Sequence, residues 1–209
     1  FAPMSATGGA ISTITANTLQ SKEFPPLRYA VDGYLAEGVT LLAGKPKIGK
    51  SWMALDFAMA VATGDLALGS VRCRQGPVLY CALEDNHRRL KRRMSQLYGD
   101  VEHWPPGLHF ATQVRRLGDG LVDDLRDWIE AHRPKLVIID TFAGVRPQSR
   151  REGYDADYAA LSPLQEMAGQ MGVAILVIHH LRKMLGDDPF DMISGTTGLT
   201  GAVDTAFVL

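Results

Sequence analysis

The sequence predicts an α/β fold, a doubly wound and mostly parallel sheet flanked by helices, and three observations predict it. Short apolar runs recur along the chain, stretches of helical periodicity alternate with them, and a glycine-rich loop joins the first main run to the first main helix. Strands buried on both faces read as nearly unbroken apolar runs, as these do, rather than as alternating ones. No internal repeat is visible.

In chain order, residues 2–21 are rich in Ser, Thr, Ala and Gly with scattered Ile and Leu. The segment 1–22 is expected to be a flexible arm, either inert or packed on a neighbouring subunit. One domain is expected over 23–209, with regular structure beginning after Pro25-Pro26. The apolar run 39–43 predicts a strand. The spacing of Trp52, Leu55, Met59 and Ala62 predicts a helix over 51–63, with Gly64 as its C-cap. A strand is expected over 77–83 and a helix from there to about Tyr98, capped by Asp85 or Asn86, with Asp85 favoured. A short edge-like strand over 108–111 and a helix over 121–132, stopped by Pro134, come next. The pattern closes with a strand over 135–140, a helix over 158–172 and a strand over 172–179. Residues 204–209 have the composition of an unfinished buried strand, so the chain is expected to continue past Leu209; its natural start is expected at Met4 or upstream.

A chain of 209 residues suits one well-packed domain. Its 46% apolar and 22% charged residues are ordinary for a globular protein. No apolar run approaches the ~20 residues of a membrane span, and no signal-peptide pattern opens the chain. Cys73 and Cys81 lack metal-ligand spacing and read as reduced thiols of a cytoplasmic protein. A net charge of −1 provides no global field for nucleic acid, so any such contact must come from local basic clusters.

The strongest chemical signal is Gly44-Lys45-Pro46-Lys47-Ile48-Gly49-Lys50-Ser51, a G-x-x-x-x-G-K-[ST] loop between a strand and a helix. Its glycines let successive backbone N–H groups turn inward on phosphates, and the helix adds its positive dipole end. The stretch from Gly44 to Trp52 is the expected ATP-binding segment. Within it Lys50 reaches the β- and γ-phosphates and Ser51 ligates Mg²⁺. Asp140 ends the run Leu136-Val137-Ile138-Ile139, where a carboxylate faces the ligand crevice of a parallel sheet and holds Mg²⁺. Glu84, at the end of the second strand, is the expected catalytic carboxylate. His179 and His180 end a third strand at the same edge and are expected to sense the γ-phosphate; the sequence does not say which ring faces it. Basic residues cluster at Arg88, Arg89, Lys91, Arg92 and Arg93, which reads as a solvated helix, and at Arg146, Arg150 and Arg151 and Arg182 and Lys183, on loops at the nucleotide edge. The loop after His180 is long and Gly-rich through Ser194-Gly195-Thr196-Thr197-Gly198, which marks it as functional or disordered.

These motifs in this order resemble the RecA-like P-loop ATPases grouped with RepA-type replicative helicases. The likeness runs from about Tyr29 to the chain's end, through Val31-Asp32-Gly33-Tyr34-Leu35-Ala36-Glu37-Gly38, the Gly44–Ser51 loop, Leu79-Tyr80-Cys81-Ala82-Leu83-Glu84-Asp85-Asn86, Asp140, Ile178-His179-His180-Leu181-Arg182-Lys183 and the Ser194–Gly198 stretch. The resemblance implies a RecA-type core assembled as a homo-oligomeric ring, a hexamer, with ATP between subunits and single-stranded DNA in central loops. It also implies Glu84 as catalytic carboxylate and His180, with or without His179, as γ-phosphate sensor. One position departs from the family. Where hexameric members carry an arginine finger, around 202–205, this chain has Asp204, a carboxylate that repels phosphate, and no arginine follows Lys183. The leading expectation is a DNA-dependent ATPase of plasmid, phage or mobile-element replication. The alternatives are an ATP-dependent switch that scaffolds protein partners and, more weakly, a small-molecule kinase.

Overall fold

A computed structural model describes residues 12–99, 103–148, 154–181 and 198–209. The chain enters through a short helix, α1 (Ala16–Ser21), all of it exposed, ahead of the expected start of regular structure. Thr15 nucleates it by accepting a hydrogen bond from the Thr18 N–H at 3.2 Å. A hairpin of β1 (Tyr29–Val31) and β2 (Leu35–Ala36) follows, too short for strand periodicity to be read from the sequence. β3 (Gly38–Gly44) then leads into α2 (Lys50–Thr63), which Gly64 ends in a left-handed conformation, as expected.

β4 (Val78–Ala82), α3 (His87–Tyr98), β5 (Leu108–Ala111), α4 (Leu121–His132) and β6 (Leu136–Asp140) come in the expected order. A four-residue helix, α5 (Phe142–Val145), follows Asp140 almost directly. α6 (Tyr154–Met171) begins a turn before the expected start at 158. β7 (Ala174–His180), α7 (Gly198–Gly201) and β8 (Thr205–Val208) complete the chain. β8 lies at a sheet edge with each residue half-buried, so the strand expected to be buried is an edge strand here. Among the described residues no helix is long and apolar enough to cross a membrane.

Six strands form one sheet in the order β5-β4-β6-β7-β3-β8, with every neighbouring pair parallel. Successive side chains along a strand go to opposite faces. Leu79, Cys81, Val137, Ile139, Ile175 and Val177 therefore meet α4 and α6 on one face. Tyr80, Ile138, Leu176 and Ile178 meet α2 and α3 on the other. Both faces are covered, which is why these strands read as continuous apolar runs. Each fully buried Val, Leu or Ile there contributes about 1.5–3 kcal/mol, so the sheet is the rigid part on which its tips are carried.

The register sets what those tips present. Ala82 lies opposite Asp140, Asp140 opposite Ile178, and Gly44 opposite His180. Counting back by twos, Tyr80, Asp140 and His180 belong to the face that α2 covers.

Candidate nucleotide site

The carboxyl ends of β4, β6, β7 and β3 lie side by side, and they bring Glu84, Asp140, the two histidines and the glycine-rich loop to one edge. In open parallel sheets this is where ligands bind. The loop residues Lys45, Pro46, Lys47 and Ile48 are exposed, and Lys47 takes a left-handed conformation at φ +68°. Gly49 stands at the N-cap of α2 with φ +108° and no side chain to close the helix end. A Cβ there would touch nothing within 4 Å, so the backbone angle, not crowding, calls for glycine. Gly44 answers to crowding instead: a Cβ would fall 2.9 Å from the Leu209 carbonyl oxygen, because Leu209 N–H donates to Ala43 O at 2.9 Å.

Lys50 is buried, and its Nζ donates to the carbonyls of Gly44 at 2.7 Å and Lys45 at 2.9 Å. It also lies 3.2 Å from His180 Nδ1. Since an ammonium only donates, His180 Nδ1 is the acceptor and the ring proton sits on Nε2. That nitrogen is 3.5 Å from Glu84 Oε1, which also accepts from the Thr141 hydroxyl at 2.9 Å. A continuous polar path thus joins the loop lysine to the β4 carboxylate. Burial lowers the Lys50 pKa, while the charges of Asp140 and Glu84 oppose that shift.

Asp140 is 5% exposed and sits under the first turn of α2. Its Oδ2 accepts from the Tyr80 hydroxyl at 2.7 Å. Its Oδ1 has no hydrogen-bond partner, the only such buried side-chain atom among the described residues. Burial pushes the Asp140 carboxyl above the ordinary carboxylate range, against the pull of the Tyr80 hydroxyl and, from farther off, that of Ser51. The bond that follows Asp140 is a cis peptide. An orphaned carboxylate oxygen close to a serine hydroxyl is the hard-oxygen donor set that suits Mg²⁺. Among the described residues no group of three or more His, Cys, Asp or Glu could hold a metal by itself. Mg²⁺ fits that arrangement because it usually takes one or two protein ligands and completes its shell with phosphates and water.

The structure separates residues that the sequence could not. His180 faces Lys50 and Glu84, whereas His179 points to the other face and packs edge-on to Phe142, with ring centroids 5.9 Å apart. Asp85 does not cap α3, as had been expected of it. Asn86 does so, accepting from the Arg89 N–H at 3.0 Å. Asp85 is instead held by Arg93 at 2.6 Å and Arg89 at 3.0 Å. Three partners of the site escaped sequence reading: Tyr80, Thr141 and Arg93. Arg93 belongs to the cluster expected to be a solvated helix face, and Arg88, Lys91 and Arg92 are indeed exposed. Its guanidinium, however, lies 5.6 Å over the ring of Trp52, which is 37% exposed, and its charge reaches Asp140. The signal was available in principle, since Arg93 lies one turn beyond Arg89 and two beyond Asp85.

Asp204 faces no phosphate of this chain. It precedes β8 at the opposite, amino edge of the sheet, where Oδ2 accepts from the Val39 N–H at 2.7 Å and Oδ1 from Gln165 at 2.9 Å. Its carboxylate anchors the start of β3. The Arg146 carbonyl accepts from Arg116 at 2.8 Å. Arg150, Arg151, Arg182, Lys183 and the loop residues 194–197 lie outside the described residues.

Residues 7–185 match the AAA domain family. Among solved structures the chain is similar to a helicase ATPase domain, with 14% identity over 83% of this chain and 69% of that one and a TM-score of 0.62. It is also similar to a KaiC-like protein from the hyperthermophilic archaeon Pyrococcus horikoshii OT3, with 18% identity over 88% of this chain and 81% of that one and a TM-score of 0.59. At such identities the likeness is one of fold, and it is the fold expected of this strand order and loop. The family match spans far more than half of the chain, and with it the assignment is complete: the chain belongs to the AAA domain family and is a RecA-like P-loop ATPase domain that binds ATP.

Proposed function

We propose that this ATPase domain, residues 23–209, is a DNA-dependent motor of the replicative-helicase type, active in the cytoplasm as a homo-oligomeric ring on single-stranded DNA. Residues 1–22 would be its flexible arm. The observation that carries the reading is the polar path Lys50–His180–Glu84–Thr141, which ties the phosphate loop to a catalytic carboxylate through the strand tip that leads into the next loop.

In this reading the segment from Gly44 to Trp52 holds the nucleotide, with Lys50 leaving its carbonyl partners for the β- and γ-phosphates. Ser51 and Asp140 Oδ1 would hold Mg²⁺, whose chemistry when bound is to neutralise charge on the phosphate oxygens. Glu84 accepts a proton from the attacking water, and Thr141 fixes the carboxylate for that task. Arg93 adds a second cation beside Trp52. His180 sits between Lys50 and Glu84, so it registers whether a γ-phosphate is present and passes that state to the residues after Leu181. His179 supports the strand tip from the other face. Copies in a ring would place a neighbour's cation at this site, since positive charge supplied by an arginine typically contributes ~10³–10⁵ in rate.

The test is ATP turnover with and without single-stranded DNA. Strong acceleration supports the motor. An unchanged rate would replace it with an ATP-dependent switch that scaffolds protein partners, because the ATPase site needs no DNA to be complete in that case.

A further inference from the structure

The two oxygens of the Asp140 carboxylate are in different circumstances, and one buried hydroxyl makes the difference. Tyr80 comes from β4, where Ala82 is paired with Asp140. It therefore lies two residues back on the same face, and its ring runs under α2 to reach the β6 tip. The residue is 1% exposed, and its ring lies 5.8 Å from that of Phe110, tilted by 46°. A tyrosine so buried needs a partner for its hydroxyl. It donates to Asp140 Oδ2 at 2.7 Å, a short charge-assisted bond. The same oxygen is 3.5 Å from the Ser51 carbonyl, so one hydroxyl touches both positions read as metal ligands.

A free carboxylate turns easily, because its terminal torsion is broad and two-fold. Nothing among the described residues bonds Oδ1, so without the Tyr80 hydroxyl the two oxygens would be interchangeable. We propose that Tyr80 is a positioning residue of the hydrolytic site, holding Asp140 Oδ2 so that Oδ1 remains the open acceptor for the divalent cation of the nucleotide. This rests on the reading of Asp140 as a metal ligand. Tyr80 acts only through Asp140 and touches neither nucleotide nor water.

The competing account makes Tyr80 an ordinary core tyrosine that found a convenient acceptor. The experiment separates the two with Mn²⁺ titrated into the full chain in the presence of ADP, free Mn²⁺ being read by electron paramagnetic resonance. ADP affinity in EDTA and thermal melting are measured on the same samples. Loss of a group that orients a metal ligand typically weakens metal binding roughly 10–100-fold, so Tyr80→Phe should do so while ADP affinity in EDTA stays within about twofold. Asp140→Asn should weaken Mn²⁺ at least as much. The double variant Tyr80→Phe, Asp140→Asn leaves no carboxylate unpaired and serves even where the single variant melts early. Its Mn²⁺ affinity should equal that of Asp140→Asn alone, since the two residues act on one path.

Wild-type Mn²⁺ affinity in Tyr80→Phe, beside a loss in Asp140→Asn, would overturn the role of Tyr80 and leave Asp140 standing. Retained affinity in both variants would overturn the metal-ligand reading itself. A parallel drop in ADP affinity in EDTA, or a double variant weaker than Asp140→Asn, would return Tyr80 to a purely structural role.

Discussion

At the tip of β4 the chain carries Glu84 and Asp85, and at the tip of β7 it carries His179 and His180. In each pair one member faces the P-loop while its neighbour builds scaffold. The causes differ. The histidines are still within the strand, so alternation sends them to opposite faces: His180 to Lys50, His179 to Phe142. The carboxylates lie past the end of β4, where alternation no longer applies. There the division is made by α3, whose Arg89 and Arg93 take Asp85 and leave Glu84 to Thr141 and His180. Adjacent polar residues at a strand tip therefore need not share a task, and exposure tells them apart. The Glu84 side chain is 57% exposed in a site open to ligand, and that of Asp85 is 6% exposed under its arginines.

Substitutions can break this comparison at several levels. The largest expected effect is common to both tips. Lys50→Ala removes the cation on which the inward-facing residues converge, so Mg-ATP affinity should fall roughly 10²–10³-fold, as for loss of a donor in a desolvated anion site. Titration with a fluorescent ATP analogue checks this, and an unchanged affinity would detach both tips from the P-loop. Within the β7 pair, His180→Ala should abolish most of any DNA stimulation while basal turnover falls less. His179→Ala should leave stimulation intact and lower stability by about 1 kcal/mol, the worth of one aromatic contact. Turnover measured with and without DNA, beside thermal melts, would erase the distinction if the two variants behaved alike. Asp85→Asn should cost about 1.5–3 kcal/mol of stability through its arginine partners, seen as a lower melting temperature.

The smallest effect sharpens the comparison with Asp140. Its raised pKa means that the folded carboxyl keeps a proton to higher pH than the unfolded one. As pH rises from the ordinary carboxylate value through the raised one, the unliganded domain should therefore lose stability, and the full cost is present above that window. Asp140→Asn keeps an acceptor for Tyr80 and removes the charge. It should raise the melting temperature of the unliganded domain near neutral pH by about 2–4 °C per kcal/mol recovered. The gain should vanish below the ordinary carboxylate range. A gain that persists there would mean that burial of charge is not its source.

Much of this was readable from the residues. The apolar runs at 39–43 and 135–140 and the loop between Gly44 and Ser51 were enough to place the sheet and its phosphate edge. The face that each histidine takes was not readable, because it depends on a register that sets Ile178 opposite Asp140, and pairing between distant strands leaves no local signal. Tyr80 escaped for a related reason. In an apolar strand a tyrosine reads as core, and only the neighbouring strand shows that its hydroxyl ends at a carboxylate. Arg93 was hidden among five basic residues of one helix, of which the structure brings only this one over Trp52. Asp204 looked misplaced in a finger position until β8 carried it to the opposite edge of the sheet.

The central claim is that the inward residue of the β4 pair performs the chemistry and its neighbour does not. Single-turnover hydrolysis of pre-bound ATP in Glu84→Gln, beside Asp85→Asn, tests it most directly. An amide keeps the shape of Glu84 but cannot accept a proton, so that variant should bind ATP and hydrolyse it roughly 10²–10⁴-fold more slowly, while Asp85→Asn stays near the wild-type rate. Wild-type hydrolysis by Glu84→Gln, or a collapse confined to Asp85→Asn, would contradict the account and move the catalytic base to Asp85.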